Sequence, residues 1–368
     1  MAKPPSLRQA LDALVQQGVS QHLFTAACYE VHWRGARVAR GECGRLSARS
    51  RFPATRTTLF DLASLTKPTA TALSVLRLVS AGRLALDDTL DRLCADLLPN
   101  QPDAPATPLR CHPKLRRATL RHLLTHTSGI TAWQGLYKRG LSRWESAQAI
   151  LGAEPKHPLG THYEYSCLGY ILLGEIVSAA AQRPLDAYTR GELHLPAGMK
   201  DTCFRPKPAD RKRAAATELC PWRHKRARGF VHDENAFSLG GVAGNAGLFS
   251  TAADLSRLLR RLLGRRPPFD LSDPLYAAYT TNQLGGVGGH SSCGWFTHDS
   301  DMLPRPPGFS AASFGHTGFT GTSATLDPAN EGFVFLLTNR VYYGRKYEPF
   351  RDFRRLFNET VGSHLLGP

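Results

Sequence analysis

Phe60-Asp61-Leu62-Ala63-Ser64-Leu65-Thr66-Lys67, followed at once by a long helical pattern, is the stretch on which the reading of this chain turns. Leu73, Leu76, Leu78 and Val79 recur at helical spacing and Gly82 stops the pattern, so a helix is predicted over residues 64–81. Pro68 is tolerated because amide hydrogens in a first helical turn have no helical partner. Serine and lysine at i and i+3 then share one face, one turn apart, and the lysine amine reaches the serine hydroxyl. A serine hydroxyl is a poor nucleophile until a base takes its proton, and lysine, with an ordinary pKa of about 10.4, is a poor base until something lowers that value. Burial and the positive end of the helix are both expected to lower it here. The same helix start offers the Ser64 N–H as an oxyanion donor. Taken alone the pattern has a plain alternative, an N-capping serine followed by a solvent-facing lysine.

On the N-terminal side, Ser6 is expected to cap a helix carrying Leu7, Ala10, Leu11, Leu14 and Val15, with Gly18 as its end. Two β-rich runs, residues 26–33 and 36–41, flank Arg34-Gly35, which suits a tight hairpin. On the C-terminal side, residues 315–327 alternate small and β-branched residues, residues 332–339 form an apolar strand run, and residues 347–366 read as a final helix. Between these ends lie helical patterns at 119–124, 142–151, 166–181 and 251–263, joined by long Pro- and Gly-rich connections at 99–113 and 196–221. The predicted architecture is α+β, an α/β sandwich. An antiparallel sheet, built from both ends of the chain and flanked by helices, carries an inserted, mostly helical lobe. Residues 1–368 form one domain, in which 1–82 and 266–368 make the sheet lobe and 83–265 the helical lobe.

Bulk properties exclude other classes. With 368 residues, 42% of them hydrophobic, the chain buries a large core and is neither disordered nor fibrous. No stretch reaches the roughly 18 apolar residues of a membrane span, and Met-Ala-Lys-Pro-Pro-Ser does not look like a secretory signal, so a cytoplasmic protein is expected. The eight cysteines are scattered without a zinc-type spacing, and free thiols are expected. His122 and His126 lie four apart, yet the glutamate of a zinc-protease motif is absent, so no metal and no cofactor are expected. The net charge of +16 is densest over residues 205–228, where nine Lys/Arg meet only Asp210 and Glu218. No helix-turn-helix, zinc finger or aromatic-interleaved basic strand accompanies it, so it reads as a solvated loop rather than a nucleic-acid surface.

Two further stretches carry chemistry. Tyr165, within Tyr163-Glu164-Tyr165-Ser166-Cys167, stands at the mouth of an apolar helix, where a phenol beside a lysine cation serves as base or acid. His316-Thr317-Gly318-Phe319 falls on a predicted strand. There Gly318 lets substrate approach, the Phe319 N–H completes an oxyanion hole, and His316 with Thr317 binds a carboxylate or relays a proton.

Taken in this order, the three stretches resemble the signature of the serine β-lactamase and penicillin-binding-protein superfamily: Ser-x-x-Lys, then Tyr-x-Asn, then Lys-Thr-Gly or His-Thr-Gly. Supporting phrases are Leu123-Leu124-Thr125-His126-Thr127-Ser128-Gly129-Ile130, Tyr165-Ser166-x-x-Gly169-Tyr170-x-Leu172-Leu173-Gly174 and Gly244-Asn245-Ala246-Gly247-Leu248-Phe249-Ser250-Thr251-Ala252-x-Asp254-Leu255. They look most like the class C β-lactamase branch, with its esterases and D-alanyl-D-alanine carboxypeptidases. The resemblance implies that Ser64 is acylated, that Lys67 and Tyr165 are bases, and that the amides of Ser64 and Phe319 hold the oxyanion. Cys167 stands where the family usually has an asparagine that contacts an acylamino substrate. His316 replaces the lysine of true class C lactamases.

The implied activity is hydrolysis through a serine ester, on a small-molecule, peptide or muropeptide substrate, an ester or a β-lactam. The alternative is a non-catalytic ligand-binding or sensor protein on the same fold. Residues 231–236, Val-His-Asp-Glu-Asn-Ala, resemble a segment of a cell-wall-related subgroup and are a candidate lining of the cleft, or else a capped loop.

Overall fold

The computed structural model describes residues 5–98 and 109–366. Part of the connection expected at 99–113 therefore lies outside the described residues. In chain order the strands are β1 (Ala26–Trp33), β2 (Ala36–Gly44), β3 (Phe60–Asp61), β4 (Cys203–Phe204), β5 (Leu219–Cys220), β6 (Lys225–Arg226), β7 (Leu248–Ser250), β8 (Phe296–Thr297), β9 (Phe314–Thr317), β10 (Ser323–Asp327) and β11 (Gly332–Thr338). Six of them form one antiparallel sheet in the order β2-β1-β11-β10-β9-β8. The two ends of the chain meet at its centre, where Cys28 faces Leu337 and Val31 faces Val334. The β1–β2 hairpin turns on Arg34 and Gly35, both at positive φ (52° and 75°), as the dipeptide suggested.

Period-two alternation assigns the faces. Ala27, Tyr29, Val31, Val334 and Leu336 pack under the helices Leu7–Ser20 and Glu348–Leu366, against Leu11, Val15, Phe353 and Phe357. Ala26, Cys28, Phe333, Phe335 and Leu337 face the opposite way, into the core that holds Leu255, Leu258 and Leu262 of the helix Ala252–Leu263. The expected sandwich follows, with the central strands β1, β11 and β10 buried on both sides and the edge strand β2 largely exposed. The middle of the chain contributes the helices Leu120–Leu124, Arg143–Leu151 and Cys167–Ala181. Thr119, Ser142, Ser166 and Thr251 are the N-caps of four of these helices, each accepting a backbone N–H three residues on. In Cys167–Ala181 every residue after Cys167 is buried, which makes it the axis of this lobe.

The structure departs from the periodicity in four places. The first helix continues through Gly18 to Ser20, because Gly18 is a contact and not a stop: a Cβ there would lie 2.5 Å from the Phe24 ring. Residues 315–327 are two strands, split by a turn in which the Gly318 N–H donates to the Thr322 carbonyl at 2.7 Å. The helix expected at 64–81 opens with a tight turn at Ala63–Leu65, widens to i→i+5 winding over Lys67–Ala72 and becomes regular at Leu73–Ser80. Within 83–265, read as helix and loop, β4 and β7 join β3 in a three-stranded sheet and β5 pairs with β6. Runs of two or three residues carry too little periodicity to be seen.

Candidate active site

Strand β3 delivers Ser64. Ala63 takes a left-handed backbone (φ 47°) that a residue with a side chain adopts only when its surroundings hold it. The buried Asp61 carboxylate does the holding, accepting the N–H of Ala63 at 2.9 Å and of His232 at 2.6 Å. The β9–β10 turn is strapped onto the same segment: Thr320 Oγ1 donates to the Asp61 carbonyl at 2.7 Å and Thr322 Oγ1 to the Leu62 carbonyl at 2.9 Å. This brings the turn bearing Phe319 against the residues that lead into Ser64.

Lys67 is fully buried, and its ammonium donates to Ser64 Oγ at 3.1 Å, the Asn245 carbonyl at 3.1 Å and Cys167 Sγ at 3.4 Å. It also faces the rings of Tyr165 and Tyr170, 4.8 and 5.7 Å from their centres. Burial pushes its pKa down, but Cys167, Tyr165 and Asp233 together outweigh burial and hold it above the ordinary lysine value. The expectation of a lowered pKa is thereby corrected. The helix-end and desolvation argument counted the groups on Lys67's own element and could not count those that folding gathers from elsewhere.

Tyr165 is placed by His126. That ring accepts the N–H of Ser166 at Nδ1 (3.0 Å), its own carbonyl accepts the N–H of Glu164 (3.0 Å), and it lies 4.6 Å from the Tyr165 ring. Burial, then the charge of Lys67, keeps His126 neutral, with a pKa well below the usual imidazole value. Burial also raises the Tyr165 phenol; Lys67 and Ser64 are near enough to pull it partly back, though Oη makes no well-formed hydrogen bond among the described residues. The side-chain amide of Asn245, 1% exposed, likewise makes no hydrogen bond among them.

His316 stacks on Phe296 (4.3 Å, 14°), 5.7 Å from the Tyr165 ring. Its Nδ1 lies 2.7 Å from the Thr317 carbonyl, which only accepts, so the single N–H of the neutral ring is occupied there. Burial and then Lys67 push its pKa down to about 3. A neutral ring with its proton turned away cannot hold a carboxylate, so that part of the expectation fails, while the buried Nε2, without a partner among the described residues, remains a proton acceptor. Thr317, half-buried, has a hydroxyl without a hydrogen bond among the described residues. The Gly318 expectation is also revised: its missing side chain makes room for the chain itself, since a Cβ would lie 2.1 Å from Thr322 Oγ1 and 2.4 Å from the Leu62 carbonyl.

The 231–236 segment borders the same turn. The His232 ring stacks on Phe319 (5.5 Å) and Glu234 pairs with Arg345, while the Asn235 side chain joins the Gln134 carbonyl and the Tyr137 N–H. Burial alone would raise the Glu218 carboxyl, but the His232 ring 3.3 Å away and hydrogen bonds from Arg345 hold it down to about 2. Ligand atoms of Glu218, Cys220 and Glu234 lie within 4.8 Å of one another, yet the Arg345 guanidinium is already paired with both carboxylates, so a cation would have to displace it. His122 caps its own helix through Nδ1 and His126 Nδ1 is occupied, so these two do not form a ligand pair. In the basic 205–228 stretch, Arg213 pairs with Asp201 and Asp210, Arg223 binds the carbonyls of Val231 and His232, and Arg226 that of Tyr342. No helix among the described residues is long and apolar enough to cross a membrane.

Sequence reasoning thus named the hydroxyl, the amine and the phenol that the fold brings together. It missed the roles of Asp61, His126 and the Asn245 carbonyl, although all three stand inside phrases it singled out. A backbone carbonyl has no sequence signal, and an i, i+4 histidine pair drew attention to metals instead.

The Beta-lactamase family model matches residues 11–357. The chain is 34% identical over 309 residues to a Bacillus subtilis (strain 168) protein described as "N-acetylmuramyl-L-alanine amidase", covering 77% of this chain and 68% of that one. It is 30% identical over 313 residues to an Escherichia coli (strain K12) "Putative D-alanyl-D-alanine carboxypeptidase", covering 78% and 70%. The fold is that of the class C β-lactamase of Rhodobacter sphaeroides, with a TM-score of 0.70 at 19% identity over 97% of this chain and 99% of that one.

Proposed function

Because this chain belongs to the Beta-lactamase family and is a serine hydrolase, we propose that it cleaves a peptide or amide bond of a cell-wall fragment through an acyl-enzyme on Ser64. The observation that carries this reading is the 3.1 Å contact of Lys67 Nζ with Ser64 Oγ, under the Tyr165 ring. In acylation, Ser64 Oγ bonds to the substrate carbonyl carbon while its proton passes to the Tyr165 and Lys67 pair. The pair acts in the form that has already lost one proton to solvent: Lys67, still cationic, stabilises a Tyr165 phenolate, and that phenolate takes the serine proton. The N–H groups of Ser64 and Phe319 receive the developing oxyanion. Collapse breaks the C–N bond, the leaving amine takes the proton back, and water hydrolyses the ester by the same relay in reverse. The chemistry named for the two curated relatives supports peptide or amide bonds.

A second reading, a carboxylesterase, is favoured by Cys167: a thiol does not reproduce the side-chain amide that would grip an acylamino group. Mass spectrometry after fluorophosphonate or penicillin treatment tests the acyl-enzyme, with one adduct on Ser64 expected and none in Ser64→Ala. Turnover of muropeptides and D-Ala-D-Ala peptides against p-nitrophenyl esters then separates the readings. Absence of both labelling and turnover would leave a ligand-binding protein on this fold.

A further inference from the structure

A cavity of about 600 Å³ opens at the end of the sheet opposite Ser64. Ser323 of β10 faces Thr317 at the cleft end, whereas Pro328 and Glu331, which follow the other end of β10, line this cavity. The helix Ala252–Leu263 and the residues after it supply Arg257, Arg260, Arg261 and Arg266, and β1 supplies His32. We propose that the cavity binds a small multiply charged anion bearing phosphate or carboxylate groups.

The charges in the lining are unbalanced. Arg257 is paired with Asp254 at 2.7 Å, and Arg261 gives one N–H to the Pro267 carbonyl at 2.6 Å. The side chains of Arg260 and Arg266 make no ion pair and no hydrogen bond among the described residues, and Glu331 pairs with none of the four. Other arginines of this chain find carboxylates, as Arg345 does with Glu218 and Glu234 and Arg213 with Asp201 and Asp210. The carbonyl end of the helix contributes only about half a negative charge. Arg260, Arg261 and Arg266 set against Glu331 and the helix end leave about one and a half positive charges in the lining without a partner, and guanidinium forks are the groups that hold phosphate and carboxylate bidentately.

The floor is prebuilt. His32, 5% exposed, stacks on Phe333 at 4.2 Å and directs Nε2 to the buried Glu30 carboxylate at 2.8 Å. Burial would raise Glu30, but His32, Ser256 and Arg56 hold it down to about 2, so it is ionised and Nε2 must be the donor. With Nε2 donating, a neutral ring leaves Nδ1 as an acceptor, so the arginines and not His32 hold the anionic oxygens. The volume falls within the range of roughly 300–1,000 Å³ typical of small-molecule sites.

Calorimetric titration of the purified protein at constant ionic strength tests this, with pyrophosphate and ADP as the phosphate probes and citrate as the carboxylate probe. Saturable one-site binding with a Kd below about 1 mM is expected for at least one of them, and the one that binds identifies the preferred group. Arg260→Gln/Arg266→Gln is expected to weaken it about tenfold or more. Arg49→Gln/Arg51→Gln, which removes the same charge from a surface loop beyond the far end of β2, is expected to leave binding unchanged, and Ser64 labelling should be unaffected in both. No saturable heat with any probe overturns the proposal, as does equal weakening by the two double variants, which would mean diffuse attraction to a cationic surface.

Discussion

The Lys67 ammonium lies 3.4 Å from Cys167 Sγ, joining two residues a hundred positions apart in the chain. The thiol occupies the first position of the helix Cys167–Ala181, beside the serine, where the family signature has an asparagine. It accepts weakly from the amine and has no amide to offer a substrate.

Cys167→Asn is therefore expected to raise kcat/KM for acylamino substrates by about tenfold, the worth of one added hydrogen bond, while ester turnover changes little. Parallel kinetics on a D-Ala-D-Ala peptide and a p-nitrophenyl ester check this. An equal change on both substrates would assign the thiol only to the setting of Lys67.

Lys67→Ala and Tyr165→Phe are each expected to lower kcat by about 10²–10⁴ without unfolding the chain. Stopped-flow acylation together with circular dichroism makes the measurement. Near-normal rates in either variant would remove that residue from the relay.

The rate should climb with pH. Burial raises Tyr165, and the neighbours of Lys67 raise its amine despite burial, so the base form of either grows only on the alkaline side. His316, at about 3, and His126, well below the usual value, do not titrate between pH 5 and 8. A kcat/KM profile rising through pH 8–10, with no histidine inflection near 6.5, is expected. A bell centred near neutrality would contradict it.

Acid should weaken the fold well before the depressed carboxylates Glu30 and Glu218 protonate. Burial first, with smaller contributions from neighbouring charges, keeps His126 and His316 neutral, and burial holds His194 at about 4. The unfolded chain takes up these three protons as pH falls below about 6.5, each lowering stability by up to about 1.4 kcal/mol per pH unit. Glu175, raised by burial to about 7, works the other way: the native state holds its proton, and that contribution is lost as pH rises from about 4.5 through 7. Three against one gives a melting temperature that drops between pH 6.5 and 4, as thermal unfolding across that range would show. A flat or rising trend would refute the buried neutral state.

Gly318→Ala should disable the cleft from outside the relay. The added methyl meets Thr322 Oγ1 and the Leu62 carbonyl, so the β9–β10 turn must move off the segment that aims Ser64. Overpacking of this kind costs about 1–3 kcal/mol, and a shift of about 1 Å in a reacting geometry costs about a hundredfold in rate. A melting curve and kcat/KM on one preparation measure both, and an unperturbed variant would show that the turn yields freely.

Much of this was legible in the linear chain. Short apolar, β-rich runs in 26–33 and 332–338, and apolar residues at helical spacing in 7–20 and 252–263, mark elements whose neighbours are local, and Thr119, Ser142, Ser166 and Thr251 announce where helices begin. The short strands β3, β4 and β7 left no such mark, because their pairing, Asp61 with Phe249 and Phe249 with Cys203, is a relation between segments far apart. Gly318 announced close approach without saying what approaches.

Local patterning by itself determined the α+β layering and the helix starts, because those depend on residue type and spacing along one element, whereas the hydroxyl, amine and phenol were singled out by the order of three separate stretches and the family resemblance they carry. Only the tertiary structure decided their charge. The protonation of Lys67, Tyr165 and His316 is set by burial and by charges that folding gathers, Cys167 and Asp233 on Lys67 and Lys67 itself on Tyr165 and His316, and electrostatic energy in a buried cleft depends on distance through space and not on separation along the chain.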